Sequence, residues 1–279
     1  MIITVLVIVG LAMGSFVNAL TWRIYQQGKK SKTKTKIKGR QVDLSISTGR
    51  SVCINCGHEL APKDLIPVLS WLSLRGKCRY CHKRIEDSPL TELLTATLFV
   101  LSYLAWYNNL ASIGEYTGFI LWLMLVVGLV ALGQYDLRHL ILPNRILFPL
   151  YVIGLAMRLA IGISMDTGAV EIVREVVLGV LVGGGVFYLL FQISKGRWIG
   201  GGDVKLGFLI GIVLGPQLSL VALLSAFYLA AFFVFPLMLA KRVNRKSKIP
   251  FGPFLITGLV LAMLWGQSII DGYNSLFGI

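Results

Sequence analysis

The chain has 279 residues, 56% of them hydrophobic and only 14% charged, with a mean hydropathy of +0.75, too apolar for a domain that must present a charged surface to water. Its length leaves room for several membrane helices of about 20 residues and one small polar domain, which excludes a large soluble catalytic domain. A formal net charge of +14 would suit nucleic acid, but the positive residues lie between apolar runs, and the lysine-rich stretch from Lys29 to Arg40 interleaves no aromatic residue to stack on bases, so no nucleic-acid partner is expected.

In chain order, apolar runs that could span a bilayer fall at 2–22, 90–107, 118–135, 145–163, 173–194, 204–214, 217–239 and 253–270. The fold class expected is an all-α polytopic membrane protein of about eight transmembrane helices with a small cytoplasmic zinc-binding module. Met1 to Ala12 lack the basic start and the small-residue cleavage site of a secretory signal, so they read as the start of a retained helix. Gly215-Pro216 separates the sixth run from the seventh, and a single kinked helix is the other reading there.

Orientation follows from Lys and Arg, which short cytoplasmic loops retain during insertion. With eight helices, 25 of the 27 basic residues fall on one side, and only Arg158 and Arg174 lie elsewhere. Both termini are then external, and three parts follow: a first helix at 1–22, a cytoplasmic loop at 23–88 and a membrane domain at 89–279.

The loop at 23–88 opens with Lys29, Lys30, Lys32, Lys34, Lys36, Lys38 and Arg40, spaced by Ser, Thr and Gly. This part reads as a solvated tether with no core, held near anionic lipid at about 1 kcal/mol per basic residue. The part at about 51–88 carries all four cysteines of the protein, as Cys53-Ile-Asn-Cys56 and Cys78-Arg-Tyr-Cys81. Two such knuckles present four thiolates to one zinc ion, with Gly57 and Gly76 suited to the turns. Two disulfides are the competing reading, disfavoured in a reducing cytoplasm, and a redox role would need one exposed pair at a helix start. The metal is expected to be structural, because a module this small cannot bury enough apolar surface to fold alone.

Only 13 residues are acidic, so a carboxylate at the end of a membrane helix invites a functional reading. Asp136 follows the third run in Gly133-Gln134-Tyr135-Asp136, and Asp203 follows Gly200-Gly201-Gly202 at the start of the sixth. The glycines let another helix or an extended peptide approach Asp203 closely. Two carboxylates a few Å apart cannot both ionise easily, so one can act as base on an attacking water while the other donates a proton to a scissile carbonyl. The plainer readings are a helix cap for Asp203 and an ion pair with Arg138 or Arg145 for Asp136. A transporter binding cations or protons at these aspartates is a further alternative, disfavoured because both sit at one face and not at the midplane.

The same residues carry a resemblance to the type IV prepilin peptidases. The chain matches that pattern at Gly14-Ser15-Phe16-Val17-Asn18 with Arg23, at Ile66-Pro67, Ser70-Trp71-Leu72 and Leu74-Arg75-Gly76-Lys77-Cys78, at Tyr135-Asp136-Leu137-Arg138 with Leu142-Pro143-Asn144, at Gly200-Gly201-Gly202-Asp203-Val204-Lys205-Leu206, and at Pro250-Phe251-Gly252-Pro253-Phe254. The resemblance implies a GxGD aspartyl protease that removes the basic leader of prepilins or pseudopilins at the cytoplasmic face of the bacterial inner membrane, with Asp136 and Asp203 on its catalytic positions. It further implies N-methylation of the new N-terminus from S-adenosylmethionine, since methylating members carry the four-cysteine module. Gly200, Gly202 and Lys205 are expected to support the site, Lys205 by tuning Asp203 or contacting peptide carbonyls. Presenilin-like proteases share the YD and GxGD pairing but are expected to lack the cysteines.

Overall fold

A computed structural model describes residues 1–30, 34–46, 48–85, 88–106, 110–242 and 249–278. Lys32 of the basic tether, and Arg245, Lys246 and Lys248 of the last basic stretch, lie outside the described residues. The chain divides into two compact units, Met1–Tyr103 and Leu104–Ile279. Among the described residues six helices are long and apolar enough to cross a membrane, and a shorter apolar helix runs from Leu90 to Trp106.

In the first unit, α1 (Ile2–Lys30) continues past the expected end at residue 22. Its last turns leave the apolar stretch but gain a polar partner. The Arg23 guanidinium donates to the carbonyls of Ser45 at 2.9 Å, Ile46 at 3.2 Å and Gly49 at 2.7 Å, and Gln27 donates to Leu44 O at 2.7 Å. Toward its other end, Gly10 and Gly14 lie one turn apart on a face pressed against the helix Leu90–Trp106, here α3. A Cβ on Gly10 would meet Ala96 Cα at 2.6 Å, and one on Gly14 would collide with the backbone of Thr91 and Glu92. Small residues at this spacing let two apolar helices pack backbone to backbone.

The basic segment is not the coreless tether expected from its composition. It forms a hairpin of β1 (Lys34–Ile37) and β2 (Arg40–Asp43), with Ile37 opposite Arg40 and a two-residue loop of Lys38 and Gly39. Both loop residues have positive φ, 46° and 82°, the geometry whose twist matches an antiparallel pair. Alternation decides the rest: Thr35, Val42 and Leu44 are buried while the intervening lysines stay exposed or partly so. A short helix α2 (Leu69–Ser73) and the cysteine knuckles complete the polar part of this unit.

The second unit begins with α4 (Ile113–His139), capped by the Ser112 side chain on Glu115 N–H and by Glu115 reaching back to Ser112 N–H. The chain continues as α5 (Asn144–Ser164), then α6 (Ala169–Val180), a π-helical turn at Leu181–Gly185 and α7 (Val186–Ser194) without interruption. Next come α8 (Gly201–Leu239) and α9 (Gly252–Phe277). The helical run of α8 breaks at Gly215, whose φ of 74° only glycine adopts easily, just before Pro216. Ser219 Oγ donates to Ile210 O across the break at 3.4 Å. Nine residues of straight helix would hold those groups about 13 Å apart, so the chain folds back there, and 201–214 and 216–239 are two helices. With α3 and this division, the eight expected runs are all present as helices.

The start of α8 is set by its packing on α6 and the π-helical turn. Gly179 and Gly183 face Gly211 and Gly207 as reciprocal pairs. A Cβ on Gly183 would lie 2.6 Å from Gly207 O, and one on Gly207 2.5 Å from Gly183 O. Four glycines at four-residue spacing therefore bring two backbones into direct contact, which fixes the axial position of the helix carrying Asp203.

Candidate active site and metal centre

Asp136 lies inside the last turn of α4, which runs four residues past the expected end at 135, and only 6% of it is exposed. Asp203 stands in the first turn of α8, and Gly200 at the cap position supplies no side chain to that helix end. The two carboxylates are close enough for their charges to interact. Residues separated by 67 positions in sequence thus share one site.

Asp136 is oriented by a residue to which sequence reasoning gave no role. Gly252 N–H donates to Asp136 Oδ2 at 3.1 Å. A Cβ on Gly252 would lie 2.5 Å from the same oxygen, so no other residue fits without displacing the carboxylate. The start of α9 is held there by rings: Phe251 packs on Phe227 of α8 at 5.4 Å between centroids and on Phe187 of α7 at 6.3 Å, and Phe254 packs on Phe233 at 6.3 Å. The visible signal was the Pro250-Phe251-Gly252-Pro253-Phe254 block itself, a glycine between two prolines and two aromatics.

The two expected supporting glycines lie next to Asp203. Gly202 faces Leu142, whose Cδ1 would lie 3.2 Å from an added Cβ, and Gly200 is exposed beside Asp203 Oδ2. Lys205 points elsewhere than expected. Its Nζ donates to Asn144 Oδ1 at 3.0 Å, Tyr151 Oη donates to Lys205 O at 2.7 Å, and among the described residues no ion pair joins Lys205 to either aspartate. This lysine ties the start of α8 to the start of α5.

In the first unit the sulfurs of Cys53, Cys56, Cys78 and Cys81 all lie within 4.8 Å of one another, and all four cysteines are unpaired. The two loops are built alike. Cys53 N–H donates to His58 O and Gly57 N–H to Cys53 O; Cys78 N–H donates to Lys83 O and His82 N–H to Cys78 O. Gly57 fills the left-handed position of the first loop at φ 68°, as expected, but His82 at φ 55° fills that of the second. Gly76 serves a different turn, the one after α2, where the Trp71 ring covers it.

The cluster fits a tetrahedral ion. Cys53 Sγ and Cys81 Sγ are 3.9 Å apart, near the edge of about 3.8 Å that four bonds of about 2.3 Å define, and far from the disulfide length of about 2.05 Å. Burial pushes the Cys53 thiol up to about 12, whereas the backbone N–H of Lys83 holds Cys81 below the ordinary thiol value. A bound cation would supply the charge that lets the buried thiol ionise. Asp64 braces the second loop, accepting from Arg79 Nε at 2.7 Å, Tyr80 Oη at 3.0 Å and Ala61 N–H at 3.2 Å. Burial opposes its ionisation, but these donors together hold it below the ordinary carboxyl value.

Fold and site define a multi-pass helical membrane protein with a paired-carboxylate site and a four-cysteine module that could hold a metal ion. Comparison with known proteins gives the family. Residues 8–106 match the bacterial peptidase A24 N-terminal domain and residues 123–235 the type IV leader peptidase family. Among its relatives is a protein named prepilin leader peptidase/N-methyltransferase from Pseudomonas aeruginosa, 32% identical over 98% of this chain and 93% of that one. A protein of the same name from Bacillus subtilis is 30% identical over 97% of each chain, and one from Aeromonas hydrophila is 34% identical over 82% of this chain and 76% of its own. The chain belongs to the type IV leader peptidase family. No solved structure matches it significantly.

Proposed function

We propose that the protein is a membrane aspartyl endopeptidase that removes the basic leader from type IV prepilins or pseudopilins and then methylates the new N-terminal amine. The observation that carries the cleavage reading is the meeting of Asp136 and Asp203, with the N–H of Gly252 on one carboxylate oxygen. Sharing one proton, the pair supplies both roles that amide hydrolysis needs. The ionised member takes a proton from the attacking water, and the protonated member donates to the scissile carbonyl oxygen. With Asp136 Oδ2 engaged by Gly252, Oδ1 is the oxygen left for the water and the partner carboxylate. The side-chain-free run Gly200-Gly201-Gly202 leaves room for an extended peptide beside Asp203.

A prepilin offers an apolar helix preceded by a basic leader, so its helix enters from the lipid and its junction unwinds at the site. The 25 basic residues counted on one side support the reading that the module and the site face the cytoplasm at the bacterial inner membrane, with the basic loops against anionic lipid. A reporter fused after Ser88 should therefore read as cytoplasmic; an external signal would overturn that orientation. Zinc is the ion assigned to Cys53, Cys56, Cys78 and Cys81, in a structural role, and S-adenosylmethionine is the methyl donor.

The test is incubation of purified protein with a prepilin in detergent. Asp136→Asn and Asp203→Asn should each abolish the shortened product while leaving membrane insertion intact, because one carboxylate cannot be both base and acid. Substantial cleavage by either variant would remove the pair from the mechanism.

A further inference from the structure

We propose that α2 and the loop before it form an interfacial anchor, an apolar face that the cysteine module inserts into the headgroup and acyl boundary of an anionic bilayer. This deepens the lipid contact of the proposed function and rests on the membrane reading of α1 given there. The face consists of Leu65, Ile66, Leu69 and Leu72, exposed at 40%, 47%, 65% and 57%. Leu65, Leu69 and Leu72 follow the four- and three-residue steps that share one side of a helical turn. The opposite side is turned inward: the Trp71 ring covers Gly76, and Leu74 lines a small cavity beside Cys53 and Cys78. Large apolar side chains gathered on the outside of a polar module mark a contact surface.

Depth identifies the partner as lipid. Val68, between the two halves of the face, donates its N–H to Glu92 Oε2 of α3 at 2.6 Å. The Glu92 backbone in turn presses on α1 at Gly14, where an added Cβ would meet Glu92 Cα. Ser15 and Asn18 of α1 line the same cleft as Ile66 and Val68. Val68 is therefore level with residues 14–18 of a helix that carries no charged side chain before Arg23. Nine residues of helix from Gly14 to Arg23 rise about 13 Å, so Val68 is held on the apolar side of the Arg23 level by up to that distance. The loop from Ser45 to Gly49 is tied instead to Arg23 itself. The module thus straddles the membrane surface, with α2 at the depth that interfacial helices occupy. Val68 takes φ 60° and ψ −51°, a conformation that a β-branched residue keeps only under constraint. The bond to Glu92 supplies the constraint, and beyond that turn Leu69 and Leu72 face outward.

Charge points the same way. Between Leu60 and Ile85 the basic residues Lys63, Arg75, Lys77, Arg79, Lys83 and Arg84 are all exposed, while Asp64, the one acid of that stretch, has a side chain only 3% exposed. An apolar face inside a cationic rim fits acyl chains beneath anionic headgroups, with the long basic side chains reaching the phosphates. The same rim repels a second copy of this face and the basic leader of a prepilin. Insertion holds the cysteine module at the level where a prepilin's apolar helix meets its polar leader, because an apolar-to-polar junction settles at the same boundary.

The full-length protein in vesicles of phosphatidylglycerol and phosphatidylethanolamine, doped with a lipid bearing a diazirine on its acyl chain, tests this without any variant. On irradiation the tryptic peptide Asp64–Arg75 should carry label, on Leu65, Ile66, Leu69 and Leu72 and not on Trp71 or Leu74, whereas the peptide Gln41–Arg50 should carry none. An unlabelled Asp64–Arg75 in vesicles where α1 and α9 are labelled would overturn the anchor. So would label that saturating prepilin removes, which would give the face to the substrate's helix, or label on Trp71 and Leu74, which would mean that the module had opened. Prepilin cleavage by the same vesicles reports the proposed function separately. Active vesicles with an unlabelled peptide refute the anchor alone, and labelled but inactive vesicles refute the peptidase reading and leave the anchor standing.

Discussion

The cysteine module and the helical unit are held together in opposite ways. Around the cysteines the chain is fixed by point contacts between polar groups: four thiols converging within 4.8 Å, Arg23 on three carbonyls, and Asp64 on three donors. In the unit carrying Asp136 and Asp203 the decisive contacts involve residues without side chains: Gly179 and Gly183 against Gly211 and Gly207, and Gly252 against Asp136. The module should therefore fail when a side chain is removed. The helical unit should fail as readily when one methyl group is added.

The largest effect expected is that of Asp136→Asn or Asp203→Asn, a loss of prepilin cleavage on the order of 10³-fold, since each variant removes one partner of general acid–base catalysis. Next is Gly252→Ala. Its methyl group would stand 2.5 Å from Asp136 Oδ2, and moving a reacting group by about 1 Å costs about 100-fold in rate. Cleavage should fall by that order while the protein still inserts and melts cooperatively; full activity would show that Asp136 does not depend on this contact. The comparison is sharpened from the other side by replacing any one of Cys53, Cys56, Cys78 or Cys81 with serine. Metal analysis should then drop from about one zinc per chain toward none. Methylation should be lost well before cleavage, because the aspartates belong to the other unit. A zinc-free, reduced wild type that is fully active would defeat the metal assignment.

The smallest effect concerns Asp64. Its folded value lies below the ordinary carboxyl value of about 3.9, so its contribution to module stability is fully present above about pH 4 and is lost as pH falls through the lower folded value. Asp64→Asn should remove that acid limb from the Trp71 fluorescence titration. Thiolate protonation and metal release come earlier in both proteins, so the difference between the two curves isolates the carboxylate.

The sequence by itself marked the apolar runs that fold as helices, the spacing of the two CxxC loops and the two aspartates that the fold brings together. Each of these is written in residue type at short range: apolar runs of bilayer length, CxxC spacing, and rare acids at the ends of apolar runs. The hairpin at Lys34–Asp43 was hidden because lysines dominated its composition, while its evidence lay in two-residue alternation and the Lys38-Gly39 loop. Only the tertiary structure decided that Gly215 folds the chain back on itself, that Lys205 reaches Asn144 instead of an aspartate, and that Gly252 orients Asp136. The physical reason is the same in all three. Glycine and backbone groups carry no label of what they will touch, so a contact 116 residues away, such as Gly252 N–H on Asp136, exists only once the helices have packed.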